Sequence, residues 1–230
     1  VSALPDPAVK RAFVERMFDE IAPRYDLMNR LMTLGIDRSW RRLAIEALGL
    51  GPGDRVVDLG CGTGDLTAAA AAAGARAIGI DLSRRMLVLA ARRNRHCWFV
   101  QTDAASLPLP DRSCRAVVSG FALRNFVSIP AVLRESARVL RKGGRIALLE
   151  IDHPQSAAGR AALDLYFGRV VPLLGRIVSR GYAYAYLADS RSYLPNATTL
   201  TNELRSAGFE RVEKRRLTMG AAQLVTAVRS

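Results

Sequence analysis

The sequence predicts an α/β fold, a mostly parallel seven-stranded sheet covered by helices, with an antiparallel last strand. Three observations carry that expectation. Short apolar runs alternate with helical patterns from residue 55 to 151, which calls for right-handed crossovers and parallel strands. A glycine-rich turn sits between the first strand and its helix. Half of the 230 residues are apolar and a quarter are charged, so the chain can build a packed core.

Taken in order, residues 8–48 read as helical. Phe13, Met17 and Ile21 recur at helical spacing, and Pro23 breaks the run. A second helix carries Tyr25, Met28, Leu31 and Met32 and ends near Gly35. A third starts at Ser39 or Trp40 and runs to Leu48. The strand Val56-Val57-Asp58-Leu59 follows, then an alanine-rich helix from Asp65 to Ala73. The alternation continues with strand Arg76–Ile80, helix Ser83–Asn94 and strand Cys97–Gln101. Next come strand Arg115–Ser119, helix Ile129–Leu140, a turn at Lys142-Gly143-Gly144 and strand Arg145–Ile151. A helical insertion of about 157–188 comes after Pro154. Helix Thr199–Ala207 and strands Phe209–Leu217 and Gln223–Arg229 complete the chain. Neither a linker nor an internal repeat interrupts 1–230, so a single domain is expected, with a helical cap at 8–48.

Composition excludes several classes. No run approaches 18 uncharged apolar residues, so a spanning helix is not expected. Val1–Lys10 lacks the pattern of a signal peptide. Three cysteines (Cys61, Cys97, Cys114) without CxxC spacing argue against a disulfide framework or structural zinc and suit a reducing cytoplasm. The net charge is +13, and 31 of the 34 basic residues are arginine. The excess is spread, +1 over residues 1–50, +7 over 51–150 and +5 over 151–230, with no basic tail. It reflects either coding bias or attraction to an anionic surface, lipid or nucleic acid.

The glycine loop is Asp58-Leu59-Gly60-Cys61-Gly62-Thr63-Gly64-Asp65. Glycines there let a backbone approach a ligand, and the helix start offers N–H groups to an anion. The G-x-G-x-G spacing is not the dinucleotide fingerprint, and no GKT or GKS follows. Asp81, 23 residues after Asp58, ends the second strand, where an acid can accept from both ribose hydroxyls; its other reading is a cap for the next helix. Asp103, in Thr102-Asp103-Ala104, ends the third strand and could accept from an adenine amine; its other reading is a loop acid. An adenosine with a zwitterionic tail and no pyrophosphate fits S-adenosylmethionine better than a dinucleotide. Cys61 reads as a small filler rather than a nucleophile, His96 as structural, and Asp37 as a cap for the Trp40 helix.

The loop, the strand-two acid and the strand-three Asp-Ala resemble the Rossmann-like class I methyltransferases. More specific are Met17-Phe18-Asp19-Glu20-Ile21-Ala22-Pro23-Arg24-Tyr25-Asp26-Leu27-Met28-Asn29 with Gly35-Ile36-Asp37-Arg38-Ser39-Trp40-Arg41, and Gly120-Phe121-Ala122-Leu123-Arg124-Asn125-Phe126. Together with Arg138–Arg145, Leu149-Glu150, Tyr166–Pro172 and Tyr186-Leu187-Ala188-Asp189-Ser190, they resemble the ubiquinone/menaquinone biosynthesis C-methyltransferases from about residue 13 to 217. The chain departs from that family at Asp37 (commonly histidine), Gly120 (commonly small and polar) and Asp152-His153-Pro154 (commonly Ser-Lys-Pro), all towards the acceptor side.

The resemblance implies methyl transfer from S-adenosylmethionine to a ring carbon of a reduced, demethylated polyprenyl quinol, leaving S-adenosylhomocysteine. It implies a cofactor site of Asp58, Gly60, Gly62, Thr63, Gly64, Asp81, Leu82, Met86, Asp103, Ala104, Gly120 and Phe121, and no metal. Arg124 is the first catalytic candidate. The matching arginine is read as positioning a water that takes the acceptor's proton, or its charge simply lowers the hydroxyl's pKa; the alternative is an ion pair with Glu150 or Asp152. Asn125 is expected to fix its loop through backbone bonds. His153 is either a general base or a loop histidine. Tyr25 either covers the cofactor or packs in the core. In the insertion, the apolar residues from Leu163 to Val178, punctuated by arginines, either line a channel for the lipid tail and touch anionic headgroups or form a buried cap. Expected partners are a lipophilic quinol or another aromatic acceptor and, transiently, an anionic membrane surface. A homodimer stays open and nucleic acid is not expected. The expected location is the cytoplasm, peripheral at the membrane's inner face. A specialised aromatic or polyketide acceptor is the alternative function, and an RNA-modifying protein a more distant one.

Overall fold

A computed structural model describes residues 5, 6, 8–152 and 189–230, together with Leu165, Arg169 and Tyr186. The expected insertion otherwise lies outside the described residues, and so does His153.

Strands β1 (Arg55–Leu59), β2 (Arg76–Asp81), β3 (Trp98–Gln101), β4 (Cys114–Gly120), β5 (Leu140–Ile151), β6 (Phe209–Leu217) and β7 (Ala222–Arg229) form one sheet in the order β3-β2-β1-β4-β5-β7-β6. Strands β1 to β5 pair in parallel, and β7 runs antiparallel between β5 and β6. The order reverses between β1 and β4. In open α/β sheets a crevice forms beyond the carboxyl ends at such a point.

Both faces are covered. On one, α3 (Asp37–Leu48) and α4 (Asp65–Ala72) bury Trp40, Ala44, Leu48, Leu66 and Ala70 against Val56, Ala116 and Val118. On the other, α6 (Ile129–Val139) and α7 (Ala197–Ser206) bury Val132, Leu133, Leu200 and Leu204 against Val57, Val117 and Ile146. The alternating side chains of each central strand therefore both meet apolar partners, which explains continuous runs such as Val56-Val57. Helix α5 (Arg84–Arg93) lies along β2 and β3 and starts at Ser83, whose hydroxyl accepts from the Met86 N–H at 3.1 Å.

The chain enters through α1 (Lys10–Ile21), a 3₁₀ turn at Ala22–Arg24 around Pro23, and α2 (Tyr25–Thr33). Two boundaries differ from the sequence-based expectation. Helix α3 begins at Asp37, two residues early, because the turn after α2 is only three residues long. Strand β5 begins at Leu140, before the expected turn. Leu140 pairs with Cys114 and Arg145 with Ala116, so residues 141–144 bulge from the ladder. Glycines permit this: Gly143 has φ +72°, and a side chain on Gly144 would lie 2.7 Å from the Arg141 carbonyl.

Candidate functional site

Two cavities meet at the carboxyl edge of the sheet. The first, with about 670 Å³ of empty volume, is lined by the glycine loop, the ends of β2 and β3, the β4 exit and helix α1. Gly60, Gly62, Asp81, Leu82, Asp103, Ala104, Gly120 and Phe121 all reach it, and Tyr25 closes one side. Two carboxylates line it, and among its lining residues there is no lysine or arginine.

Asp81 holds the loop in place. One carboxylate oxygen accepts from the Gly62 N–H and the other from the Ser83 N–H, both at 2.8 Å. Burial pushes its pKa up, against the opposing pull of those N–H donors. The helix cap is Ser83, so Asp81 bridges loop and strand rather than capping α5. Its remaining lone pairs can still accept from ligand hydroxyls. Asp103 accepts from the Ala105 N–H at 2.9 Å and lies 3.7 Å from the Arg11 guanidinium.

Four expected cofactor residues, Asp58, Thr63, Gly64 and Met86, fall outside this lining. Asp58 is buried beneath the loop and accepts from the Thr67 hydroxyl at 2.6 Å; burial raises its pKa from 3.8 to about 6. The Thr63 hydroxyl donates to Asp26 at 2.6 Å, turning the side chain towards α2. At Gly64 an added Cβ would come 2.9 Å from the Asn94 amide nitrogen and 3.2 Å from Ala90 and Phe99. That glycine lets α5 and Phe99 pack closely against the loop. Met86 is on the buried face of α5. Sequence spacing places all four on the loop and its neighbours, but only packing decides which way each faces.

The second cavity, with about 1180 Å³ of empty volume including its mouth, lies under α2 and α3. It shares Phe18, Tyr25 and Phe121 with the first, so these rings form the partition. Phe121 adopts φ +59°, an uncommon conformation for a bulky residue, and its N–H donates to the Leu149 carbonyl at 2.7 Å. Trp40 packs on it at a centroid distance of 6.1 Å. Met32, Leu34, Ile36 and Ile151 make the remaining wall apolar, while Asn29, Thr33, Asp37, Arg41, Arg124 and Thr218 supply polar groups.

Arg124 lies in a 3₁₀ turn after β4, is buried, and forms an ion pair with Glu150. Its Nε and the other Glu150 oxygen have no partner among the described residues. Burial pushes the Glu150 carboxyl up, against the pull of Arg124. Asp152, the other expected partner, instead meets Lys214 at 2.9 Å. Three further expectations need correction. Asp37 does not cap α3. It accepts from the Thr33 hydroxyl at 2.7 Å and from Arg41 Nε at 3.2 Å, because it already stands in the helix. Asn125 fixes its loop by accepting from the buried Tyr186 hydroxyl at 3.2 Å rather than through a backbone group. His96 stands exposed in the turn before β3.

Three residues that sequence reasoning passed over attach the N-terminal helices to this site. Asp19 accepts from the Ser83 hydroxyl at 2.6 Å, and Asp26 from Thr63 and Arg93. The buried Lys10 ammonium donates to the Arg124 and Phe126 carbonyls at 3.0 and 2.8 Å. Desolvation lowers its pKa to about 8. A lysine on the buried face of an otherwise apolar stripe, with Val14 and Met17, was the available signal.

The model of the ubiE/COQ5 methyltransferase family matches residues 7–229. A demethylmenaquinone methyltransferase of Roseiflexus sp. (strain RS-1) is 39% identical over 99% of this chain and 98% of its own length. That of Mycobacterium sp. (strain KMS) is 42% identical over 94% of each. A ubiquinone/menaquinone biosynthesis C-methyltransferase UbiE of Syntrophotalea carbinolica is 38% identical over 93% of each. Among solved structures, an S-adenosylmethionine-dependent methyltransferase of Thermotoga maritima superposes with a TM-score of 0.66 at 20% identity, over 94% of this chain and all of the other. The cyclase SpnF superposes with a TM-score of 0.70 at 19% identity, over 94% of each. A cyclase among such neighbours shows that this fold alone does not define a reaction. The fold is that of the class I methyltransferases, and by sequence the chain belongs to the ubiE/COQ5 methyltransferase family.

Proposed function

We propose that this protein transfers a methyl group from S-adenosylmethionine to a ring carbon of a demethylated, polyprenylated menaquinol- or ubiquinol-type quinol. The observation that carries the reading is the pair of abutting cavities divided by Phe18, Tyr25 and Phe121, the first with Asp81 and Asp103 and no basic lining residue, the second with Arg41 and Arg124 in a largely apolar wall. Acidic lining without a cation suits an adenosine ligand with a positively charged sulfur and disfavours a pyrophosphate. The residues present therefore fit that donor. When bound, it supplies an activated methyl on sulfur.

Asp81 accepts the ribose hydroxyls and Asp103 the adenine amine, while Gly60, Gly62 and the Gly120-Phe121 backbone leave room for the amino-acid end. Asp58 and Thr63 act beneath this site by holding the loop. The aromatic partition orients the acceptor ring, and alignment at about 3–3.5 Å is a large part of catalysis for two charged reactants that neutralise each other. A neutral ring carbon is a weak nucleophile. Arg124 favours loss of the neighbouring hydroxyl proton by stabilising the resulting phenolate. Glu150 holds the guanidinium, which cannot itself take that proton. Tyr25 excludes water at the partition. The proton passes to a water beside Arg124, with His153 as the alternative acceptor. The N-terminal helices and the sheet work as one catalytic unit, acting peripherally at the inner face of the membrane.

The test is transfer of labelled methyl to chemically reduced demethylmenaquinone, with the oxidised quinone and bulk RNA as parallel acceptors. Label in the reduced quinol alone is expected. Tight donor binding with no label in any acceptor would move the function to a specialised aromatic substrate.

A further inference from the structure

The mouth of the apolar cavity carries side chains that the fold does not bury. Leu34, at the turn after α2, lines the cavity and is 81% exposed, and Met219, in the turn after the lining residue Thr218, is 96% exposed. The Thr218 turn is tied to α3, which follows the Leu34 turn, where the Trp40 indole N–H donates to the Thr218 hydroxyl at 2.9 Å. Ile36 is exposed beside Leu34, and Leu27 and Leu31 continue the same stripe along α2 at spacings of four and three residues.

Backbone conformation sets these tips apart from ordinary exposed apolar residues. Leu34 has φ +51° and Met219 φ +54°, both in the left-handed region. Glycine and asparagine take that conformation readily and leucine and methionine do not. Each residue is therefore unfavourable twice in water, through its backbone and through its exposed side chain. Strain that a fold retains at an exposed rim points to a use outside folding. Exposed cations flank the tips: Arg30 and Arg38 around Leu34, and Arg215 before Met219.

We infer that Leu34, Ile36 and Met219 form a lip that inserts into an anionic lipid surface and sets the mouth of the apolar cavity against it. The inference rests on the proposed quinol substrate and deepens it. A polyprenyl acceptor dissolved in a bilayer would pass into the cavity without crossing water. The apolar tips supply insertion and the arginines the preference for anionic headgroups. The inference places the contact on two turns, whereas the sequence suggested the insertion, which lies mostly outside the described residues.

The test uses the full chain and sedimentation with phosphatidylglycerol or phosphatidylcholine vesicles. The wild type should bind the former more tightly, with binding weakened by salt. The double variant L34N/M219N replaces each tip by a residue at ease in the left-handed conformation, so folding is preserved, and circular dichroism checks it. Its vesicle affinity should fall at least about tenfold. Unchanged binding by the folded double variant would overturn the inference, as would a wild type that ignores both lipids. Self-association that the double variant abolishes would overturn it too, by assigning the lip to a second copy of the chain. The variant M219N, outside the cavity lining, separates this from the functional reading. It should methylate a short-chain, water-soluble reduced acceptor like the wild type but lose activity on vesicle-embedded quinol. A wild type inactive on the soluble acceptor while binding vesicles through the lip would defeat the substrate reading alone.

Discussion

The two cavities are built by opposite strategies. The first is assembled mainly from the glycine loop and the ends of β2, β3 and β4, closed by α1 and Tyr25, and its carboxylates accept from backbone N–H groups. The second takes walls from α2, α3, the β4 exit, the end of β5 and the turn at Thr218–Gly220, residues up to nearly two hundred positions apart. Its charges are held side chain to side chain, Arg124 by Glu150 and Asp37 by Arg41 and Thr33. Local backbone geometry shapes the loop side of the first cavity, and the docked N-terminal helices close it through Val14, Phe18 and Tyr25. The acceptor side exists only when distant elements are docked, so it is the side on which substrates can diverge while the donor stays the same.

The largest effect should come from the acceptor side. Arg124→Ala should lower turnover on the order of a thousandfold while donor affinity by calorimetry changes little. It also strands a buried Glu150, costing about 3–5 kcal/mol of stability. Adding Glu150→Gln should restore the melting temperature but not turnover. An equal loss of turnover and donor affinity would make Arg124 structural and erase the contrast between the cavities.

Asp58 sharpens the donor side. Its folded pKa of about 6 exceeds the ordinary 3.8, so the folded state binds more protons than the unfolded one between those values. Stability from this group is therefore present at low pH and lost as pH rises through about 6, by up to about 3 kcal/mol. Asp58→Asn should flatten that slope in denaturant titrations at pH 4.5 and about 7.5. A wild-type slope that the variant leaves intact would place the titrating group elsewhere.

Gly64→Ala should cost about 2 kcal/mol, from left-handed strain and from the clash with Ala90, Phe99 and Asn94. Donor affinity should be nearly unaffected; a large affinity loss with unchanged melting would return Gly64 to the ligand. Asp81→Ala should weaken S-adenosylmethionine binding by more than about tenfold, since it removes both the ribose acceptor and the anchor of Gly62. Unchanged calorimetric affinity would show the ribose to be placed elsewhere.

Much of this was legible before the structure. The strand runs, the loop and the acids at residues 81 and 103 follow local patterns with periods of two and 3.6 residues, and such patterns are visible in one dimension. The motif around Gly120–Phe126 singled out Arg124, which the structure places in the lining of the second cavity. The role of Gly64 was not legible, because a glycine looks the same whether it makes room for a ligand or for a neighbouring helix. Asp37 was misplaced because a cap and an early helical residue differ by one turn of backbone. Lys10, Asp19 and Asp26 were passed over because charged residues on an amphipathic helix ordinarily face water.

By itself, then, the sequence determined the alternation of elements, the family and the donor's chemical class, since these rest on short-range backbone geometry and residue type. The tertiary structure decided which loop residues face the cavity, that Arg124 is paired with Glu150 and not with Asp152, and that Leu34 and Thr218, the neighbour of Met219, line one cavity. Those facts depend on contacts between residues far apart in the chain, and distance in sequence carries no direction in space until the core has packed.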